Sequence, residues 1–349
     1  MTEDVITRKA GSVGRITLNR PKALNALNQD MVTAMVEALQ AWRNDDSVKA
    51  VVVDGAGEKG FCAGGDIRML AESGQAGDDR AWTFWRDEYQ LNTLIAEYPK
   101  PYVALIDGIT MGGGVGVSIH GEFRVAGDRT MFAMPETGIG FHPDVGGAYF
   151  LPRLMGELGV WMGLTGARLK TADCIAAGVA THYVPTDSHP ALIEALETET
   201  LDDDGEKVDA ILAKFAGDPG QSDLGMVQRL IDAAFEGDDL DAIIHRLESA
   251  GDAWSKAVLK ILSSKSPTAV KVTLAALRKG AELSLRDVMV QDLRVSSRFL
   301  KEGSDFYEGV RAVIIDKDNA PNWSAPISDA DVTAYFEPLA ADMEMTFLD

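Results

Sequence analysis

Residues 102–119 read YVALIDGITMGGGVGVSI, and this stretch carries the strongest information about the fold. It is apolar enough to raise the question of a membrane span, yet it contains Asp107 and five glycines. A spanning segment consists mostly of large aliphatic residues with few interruptions. The stretch therefore predicts a buried strand, a glycine turn and a helix in a globular protein.

Short β-type runs alternate with helical patterns through the first half of the chain. The runs lie at 14–18, 50–54, 102–106, 123–126 and 131–133. Between the first two, residues 28–42 carry apolar side chains at helical spacing, and Asn28 is a suitable N-cap. Strands that alternate with helices predict an α/β fold. After Pro185 the pattern is almost wholly helical, so we expect a core over 1–185 and a helical C-terminal region over 186–349.

Composition and charge indicate a soluble globular protein without nucleic-acid or membrane partners. The 349 residues are 46% hydrophobic, and 33 Lys and Arg stand against 54 Asp and Glu, which gives a net charge of −21. A surface this negative repels DNA, RNA and anionic lipid. The two cysteines, Cys62 and Cys174, do not form a disulfide framework, and residues 1–14 have no signal-peptide pattern. We therefore expect a cytoplasmic location.

Several common chemistries lack their sequence signals. There is no G-x-x-x-x-G-K-[ST] phosphate loop, and the glycines at 112–116 do not fit G-x-G-x-x-G. The five histidines never pair at i, i+4, so no metal site is expected. The closest match to a serine nucleophile elbow, at 116–120, has His120 in place of the last glycine. The sequence thus predicts chemistry without a metal or a cofactor.

Two glycine clusters are candidates for binding a developing negative charge. Residues 60–66, GFCAGGD, follow the strand at 50–54, and residues 111–116, MGGGVG, should open a helix. Small residues let backbone N–H groups approach a ligand, and the first N–H groups of a helix are free and carry positive potential. Two such donors that converge would form an oxyanion hole. Alternatively, the glycines serve only tight turns and close packing.

The segment 134–147, MPETGIGFHPDVGG, places two carboxylates on one compact loop. Glu136 directly follows a short apolar strand, and Asp144 comes eight residues later. Burial among apolar neighbours can push the pKa values of two such groups apart, which suits one to act as a base and the other as an acid. Alternatively, Glu136 caps the turn and Asp144 is the N-cap of the next helix.

Four motifs, in order and at matching spacing, make the chain resemble the crotonase (enoyl-CoA hydratase/isomerase) superfamily. They are ITLNRPKALNAL at 16–27, GFCAGGD at 60–66, DGITMGGG at 107–114 and MPE at 134–136. The resemblance covers about residues 5–185. It implies a spiral core of repeated β-β-α units with a helical C-terminal region, and an acyl-CoA thioester as the ligand.

Within this superfamily, the chain is most similar to the 3-hydroxyisobutyryl-CoA hydrolase subfamily. The segments that carry this similarity are GGGVGVS at 112–118, PDVGGAYFLPRL at 143–154 and KSPT at 265–268. The resemblance implies that the N–H groups of Gly65 and Gly113 bind the thioester oxygen and that Glu136 is catalytic. It also implies that Asp144 is the second catalytic carboxylate. The second glutamate of the hydratases is absent, because its position is Gly116.

Two further sets of residues are candidates for contact with the ligand. Glu88 matches a substrate-contacting position of the subfamily, alongside Gly113, Glu136 and Asp144, although Glu88 could instead be a solvated charge on a helix over about 80–97. Arg20 and Lys22, in the first motif, could lie near the CoA phosphates.

The activity that the resemblance implies is hydrolysis of a short 3-hydroxyacyl-CoA thioester. The favoured substrate is 3-hydroxyisobutyryl-CoA, which is split to the free hydroxy acid and CoA, as in valine breakdown. CoA is then part of the substrate and not a cofactor. Two alternatives remain open: an enoyl-CoA hydratase or isomerase that uses Glu136, and a non-catalytic acyl-CoA-binding protein. The sequence is compatible with a homo-oligomer but does not fix its size.

Overall fold

A computed structural model describes residues 2–202 and 204–348 of the chain, so Met1, Asp203 and Asp349 lie outside the described residues. The strands are β1 (Val5–Ala10), β2 (Val13–Leu18), β3 (Ala50–Gly55), β4 (Gly60–Cys62), β5 (Tyr102–Leu105), β6 (Ile109–Met111), β7 (Phe123–Ala126), β8 (Met131–Ala133), β9 (Leu169–Lys170) and β10 (His182–Tyr183). The runs predicted at 123–126 and 131–133 coincide with β7 and β8. Strands β1, β4, β6, β9 and β10 had no predicted counterpart.

The helices are α1 (Gln29–Arg43), α2 (Ile67–Ala76), α3 (Arg80–Ala96), α4 (Gly113–Ile119), α5 (Gly147–Phe150), α6 (Leu158–Thr165), α7 (Thr171–Ala176), α8 (His189–Thr198), α9 (Glu206–Phe215), α10 (Leu224–Phe235), α11 (Leu240–Ala250), α12 (Ala253–Leu262), α13 (Pro267–Gly280), α14 (Leu285–Arg298), α15 (Asp305–Val310) and α16 (Asp329–Ala334). The side chain of Asn28 accepts the N–H of Met31, so the predicted N-cap of α1 is confirmed.

Two sheets and the helices between their strands form a spiral of β-β-α units. One sheet has the order β1-β2-β3-β5-β7-β10, and the other has the order β4-β6-β8-β9. In the units β3-β4-α2 and β5-β6-α4, the first strand enters the larger sheet, the second enters the smaller one, and a helix follows, whereas β1 and β2 both lie in the larger sheet before α1. From β2 to β10 the larger sheet is parallel, which buries its strands on both faces. The α/β class and the spiral are confirmed.

The C-terminal helices pack onto the core and share its interior. In the described residues no strand follows β10, and the remaining chain is helical or irregular. Helix α14 packs against α3, and α13 packs against α5 and α6. One hydrophobic cluster runs from Val5 in β1 to Met345 near the end of the chain. The predicted division at 185/186 is therefore a change of secondary structure within one packed interior.

The apolar stretch at 102–119 forms β5, β6 and α4. Among the described residues, no helix has both the length and the apolar character needed to cross a membrane.

Candidate active site

A cavity of about 600 Å³ lies where the two glycine clusters, the 134–147 loop and the C-terminal helices meet. It is lined by Gly65, Gly113, Glu88, Glu136 and Asp144, which are all the site residues predicted from the sequence. One wall is aromatic, since the rings of Trp85 and Phe141 stack with their centroids 5.5 Å apart. The structure thus brings the predicted residues into one largely apolar pocket.

The two glycine clusters approach each other so closely that side chains would not fit. Gly112 has a φ of +48° and Gly64 a φ of +123°, conformations that favour glycine. A Cβ on Gly112 would lie 3.3 Å from the Gly64 Cα, and a Cβ on Gly114 would overlap the carbonyl of Cys62. The alternative that these glycines serve close packing is therefore correct for Gly114, and it is compatible with a ligand site beside it.

Gly65 and Gly113 lie on either side of this approach. Gly113 is the first residue of α4, where helical N–H groups have no internal acceptor and carry positive potential. Gly65 pairs with Leu27 through an isolated parallel bridge, which ties the first cluster to the segment before α1. Both residues face the same cavity, so the arrangement is suited to an oxyanion hole, whose role stays a prediction.

Glu136 begins a 3₁₀ turn, Glu136–Ile139, immediately after β8. Its side chain is almost fully buried, its Oε1 would lie 3.2 Å from a Cβ on Gly112, and its Oε2 has no hydrogen-bond partner in the protein. Burial raises the pKa of Glu136 well above 4.5, the negative charge of Asp144 raises that pKa further, and the cation of Lys265 opposes the shift. A carboxylate of raised pKa with a free oxygen is suited to accept a proton or attack a carbonyl.

Glu88 projects from α3 into the same cavity and is only 2% exposed. The interpretation of this side chain as a solvated surface charge is therefore wrong. The residues around Glu88 are polar enough to suggest a solvent-exposed helix face. In the fold, however, α3 packs against the core and against α14. A Cβ on Gly113 would overlap Glu88 Oε1, which has no hydrogen-bond partner in the protein. Burial and the charge of Asp144 raise the pKa of Glu88, so Glu88 favours its protonated form.

Asp144 lies on the loop that precedes α5. Helix α5 begins at Gly147 with Gly146 as its N-cap, so Asp144 is not the N-cap and that alternative is wrong. The next two residues, Val145 and Gly146, have φ values of +50° and +82°. These two left-handed residues separate Asp144 from the start of α5, and the Asp144 side chain lines the cavity. A left-handed β-branched residue is strained, and such strain is concentrated at functional sites.

The Asp144 carboxylate accepts a hydrogen bond from a buried tyrosine. The Tyr89 hydroxyl donates to Asp144 Oδ2 at 2.7 Å. Burial raises the pKa of Asp144 to about 7, and the hydrogen bond from Tyr89 opposes that rise. The pocket thus contains three buried carboxyl groups, and Asp144 has the strongest protein support for its charge.

Sequence reasoning missed two residues in or behind the pocket. Tyr89 and Lys265 lie inside quoted motifs or beside Glu88 but carried no signal of their own. Arg20 donates to the Ala26 carbonyl and lies 3.6 Å from Asp66, while Lys22 lines a separate cavity. Their suggested contact with CoA phosphates stays a prediction. Among the described residues no group of three His, Cys, Asp or Glu side chains could hold a metal ion.

Comparison with known proteins decides the family. The family model described as enoyl-CoA hydratase/isomerase matches residues 13–336. The chain belongs to the enoyl-CoA hydratase/isomerase family. A zebrafish (Danio rerio) protein named 3-hydroxyisobutyryl-CoA hydrolase, mitochondrial, is 46% identical over 95% of this chain and 88% of its own length. The human protein of the same name is 41% identical over 97% of this chain and 90% of its own length.

A solved structure extends the similarity to the whole fold. The carnitinyl-CoA dehydratase from Mycobacterium thermoresistibile is 46% identical, with a TM-score of 0.91 and 99% coverage of both chains. The spiral core and the helical C-terminal region are therefore both features of close relatives.

The prediction of a cytoplasmic location is contradicted. Both relatives named above are called mitochondrial. The prediction rested on the two cysteines and the first 14 residues. Cysteine usage separates oxidising from reducing compartments, and it does not separate one reducing compartment from another.

Proposed function

We propose that this protein hydrolyses 3-hydroxyisobutyryl-CoA to 3-hydroxyisobutyrate and CoA, as a step of valine breakdown. The observation that carries the proposal is Asp144, buried beside Glu136 in a pocket that has no glutamate at Gly116. Relatives that are 41–46% identical over nearly the whole chain are named hydrolases of this thioester, which supports the proposal.

The first step is polarisation of the thioester. The C1 carbonyl oxygen accepts hydrogen bonds from the N–H groups of Gly65 and Gly113, which also stabilise the oxyanion that forms when C1 becomes tetrahedral. Removal of one such donor typically costs ~10²–10³ in rate. The apolar wall of Trp85 and Phe141 excludes water and strengthens these interactions.

Glu136 supplies the attacking group by one of two routes. In the general-base route, a Glu136 oxygen takes a proton from water, the water oxygen bonds to C1, and the C1–S bond breaks. In the covalent route, the Glu136 carboxylate itself attacks C1, and water then hydrolyses the resulting anhydride. Both routes need an ionised Glu136 and release a CoA thiolate, which takes a proton.

Asp144 and Glu88 orient the reactants. Asp144 accepts a hydrogen bond from the attacking water or from the 3-hydroxyl group, and it assists proton delivery to the departing thiolate. Glu88, whose raised pKa favours the protonated form, contacts the acyl group as a hydrogen-bond donor. Both groups contribute by geometry, so their loss lowers kcat more than it weakens CoA binding.

Hydration or dehydration is the second candidate, and one observation favours it. The oxygens of Glu88 and Glu136 lie against the neighbouring glycines Gly113 and Gly112, so two glutamates face the pocket although Gly116 provides none. The solved relative at 46% identity is called a dehydratase. A hydratase adds water across a C=C bond and leaves the thioester intact, which makes the two activities easy to separate.

The test measures two signals in each reaction, the release of CoA thiol and the loss of enoyl absorbance. Purified protein is given 3-hydroxyisobutyryl-CoA, 3-hydroxypropionyl-CoA and crotonyl-CoA in separate reactions. Release of CoA thiol is measured with a thiol reagent, and enoyl absorbance is followed in parallel. Thiol release that is fastest with 3-hydroxyisobutyryl-CoA supports the proposal. Loss of enoyl absorbance without thiol release identifies a hydratase, and binding without either change identifies a non-catalytic protein.

A further inference from the structure

A chain of buried hydrogen bonds ends on Asp144. Tyr89 Oη lies 2.7 Å from Asp144 Oδ2 and 2.8 Å from Ser296 Oγ, and Ser296 Oγ lies 2.9 Å from His142 Nε2. All four side chains are buried, with exposures of 6% or less. Tyr89, Ser296 and His142 lie behind the cavity lining.

The direction of the donors follows from the chemistry of each group. Burial lowers the pKa of His142 to about 3, so the imidazole is neutral and carries one N–H. Because the Tyr89 hydroxyl donates its only hydrogen to Asp144, the Tyr89 oxygen accepts a hydrogen bond from the Ser296 hydroxyl. The Ser296 oxygen then accepts from His142 Nε2–H. Every donor in the chain therefore points toward Asp144, an arrangement in which successive hydrogen bonds strengthen one another.

Asp144 differs from the other carboxyl groups of the pocket in this support. Glu88 Oε1 and Glu136 Oε2 are buried without any hydrogen-bond partner in the protein, whereas Asp144 Oδ2 has a directed donor. Three carboxyl groups in one apolar pocket cannot all ionise near neutral pH, because their charges repel one another. The donor from Tyr89 favours ionisation of Asp144 over that of Glu88, so that Asp144 and Glu136 carry charge and Glu88 keeps its proton.

A second contact fixes the backbone behind Asp144. Asp292 on α14 accepts the N–H of Gly146 through Oδ2 at 2.8 Å, and His120 Nε2 lies 2.8 Å from the Val145 carbonyl. Asp292 is four residues before Ser296, so one face of α14 supports both the side chain and the backbone of the Asp144 loop. The groups that titrate and face Asp144 are Tyr89, Glu88, Glu136 and Asp292.

We propose that Tyr89 is a positioning residue for the hydrolysis: it orients the Asp144 carboxylate and stabilises its charge, with Ser296 and His142 as the supporting donors. This inference rests on the proposed function. An ionised Asp144 accepts a hydrogen bond from the attacking water or from the substrate hydroxyl at a fixed position. Glu88 keeps its proton.

The test compares the pH profiles of kcat/KM for thiol release in Tyr89→Phe and the wild type. A hydrogen bond to a charged group corresponds to a shift of about one pH unit. Without the phenol hydroxyl, the ionised form of Asp144 loses support, its pKa rises, and the acid limb of the profile moves to higher pH by about one unit. We expect kcat at neutral pH to fall by ~10-fold and KM to change by less than about threefold.

Two further variants separate this effect from general damage. Tyr102→Phe is the matched control. Tyr102 is 1% exposed, and its hydroxyl donates to the Val117 carbonyl at 2.8 Å, so it takes no part in the hydrogen bonds that end on Asp144. Its acid limb should coincide with that of the wild type. Ser296→Ala should move the limb in the same direction as Tyr89→Phe and by less, and it carries the test if Tyr89→Phe does not fold.

Each outcome has a defined meaning. A limb that is unchanged or moves to lower pH in Tyr89→Phe, or an equal shift in Tyr102→Phe, overturns the inference and leaves the hydrolase function intact. With an unfolded Tyr89→Phe, an unshifted Ser296→Ala overturns it as well. A wild-type protein that releases no thiol overturns the proposed function, and the inference falls with it.

Discussion

At the scale of single residues, the pocket depends on carboxyl groups that are held in an apolar setting. Glu88, Glu136 and Asp144 are each at most 6% exposed, and burial is the main reason that the pKa of each is raised. Such groups cost stability, because an ionised carboxylate is poorly solvated there. We attribute their burial to the proposed chemistry, because a carboxylate of raised pKa is a stronger proton acceptor than one on the surface.

The proposed catalytic pair, Glu136 and Asp144, gives the first prediction. Glu136→Gln and Asp144→Asn keep the shape of each side chain and remove its charge. Each variant should lower kcat for thiol release by at least ~10², since positioned proton transfer typically contributes ~10²–10⁴. Binding of a CoA thioester, measured by isothermal titration, should stay within a few-fold of wild type. An Asp144→Asn enzyme with near-normal hydrolysis would remove Asp144 from the mechanism.

The second prediction concerns stability and pH. The pKa of Asp144 is 3.8 in an unfolded chain and about 7 in the fold, so the folded state binds this proton more tightly. The free energy of unfolding therefore decreases as pH rises from about 4 to about 7, and the full penalty applies above that range. Asp144→Asn does not titrate, so it should be more stable than wild type at pH 8, by on the order of a few kcal/mol. Chemical denaturation at pH 8 and pH 4 checks this, and the gain should vanish at pH 4.

At the scale of elements, the sequence indicated most of the spiral but not strands β1, β4, β6, β9 and β10. The short β-type runs at 123–126 and 131–133 coincide with β7 and β8, and 28–42 corresponds to α1 with its cap. Strands β4 and β6 have three residues each and lie within or beside the glycine-rich motifs, and they form because β6 pairs with both β4 and β8. Their pairing depends on contacts far apart in the chain.

The site shows the same division between local and distant information. The glycine clusters, Glu136 and Asp144 were predictable because the residues that define them are neighbours in sequence. The contact between Tyr89 and Ser296 joins positions 207 residues apart, and nothing local marks either residue. Glu88 needed the fold to show that α3 is buried on that side.

Helix α4 gives the third prediction. A Cβ on Gly116 would lie 2.8 Å from both Asn92 Nδ2 and Val145 Cβ, so no side chain fits there without movement of α3 or of the Asp144 loop. Gly116→Glu should therefore not create a hydratase. We expect loss of thiol release, no gain in crotonyl-CoA hydration and a lower melting temperature. Gly225→Glu, at a helical glycine with open space around its Cβ position, is the control and should keep wild-type activity. Rapid hydration by Gly116→Glu would show that α4 tolerates the change.

At the scale of the whole molecule, the helical region completes the active site rather than forming a separate unit. Helix α14 supplies Asp292 and Ser296 behind the Asp144 loop, and Phe306 of α15 lines the cavity. Ser266 at the N-terminus of α13 donates its hydroxyl to Asp305, and its N–H donates to the Thr137 carbonyl in the turn that follows Glu136. The turn and the loop that carry the two carboxylates are thus both anchored by residues beyond 185.

The last prediction follows from this anchoring. A fragment of residues 1–185 would expose the apolar faces that α13 and α14 cover, and it would leave the Gly146 N–H and the Tyr89 oxygen without their partners. Since folded domains are stable by only about 5–15 kcal/mol, these losses exceed what the remaining core can offset. The fragment should show no cooperative thermal transition by circular dichroism, and it should bind no CoA thioester, whereas the full chain does both. A fragment that unfolds cooperatively would mean that the spiral is stable alone and that the helices serve only the site.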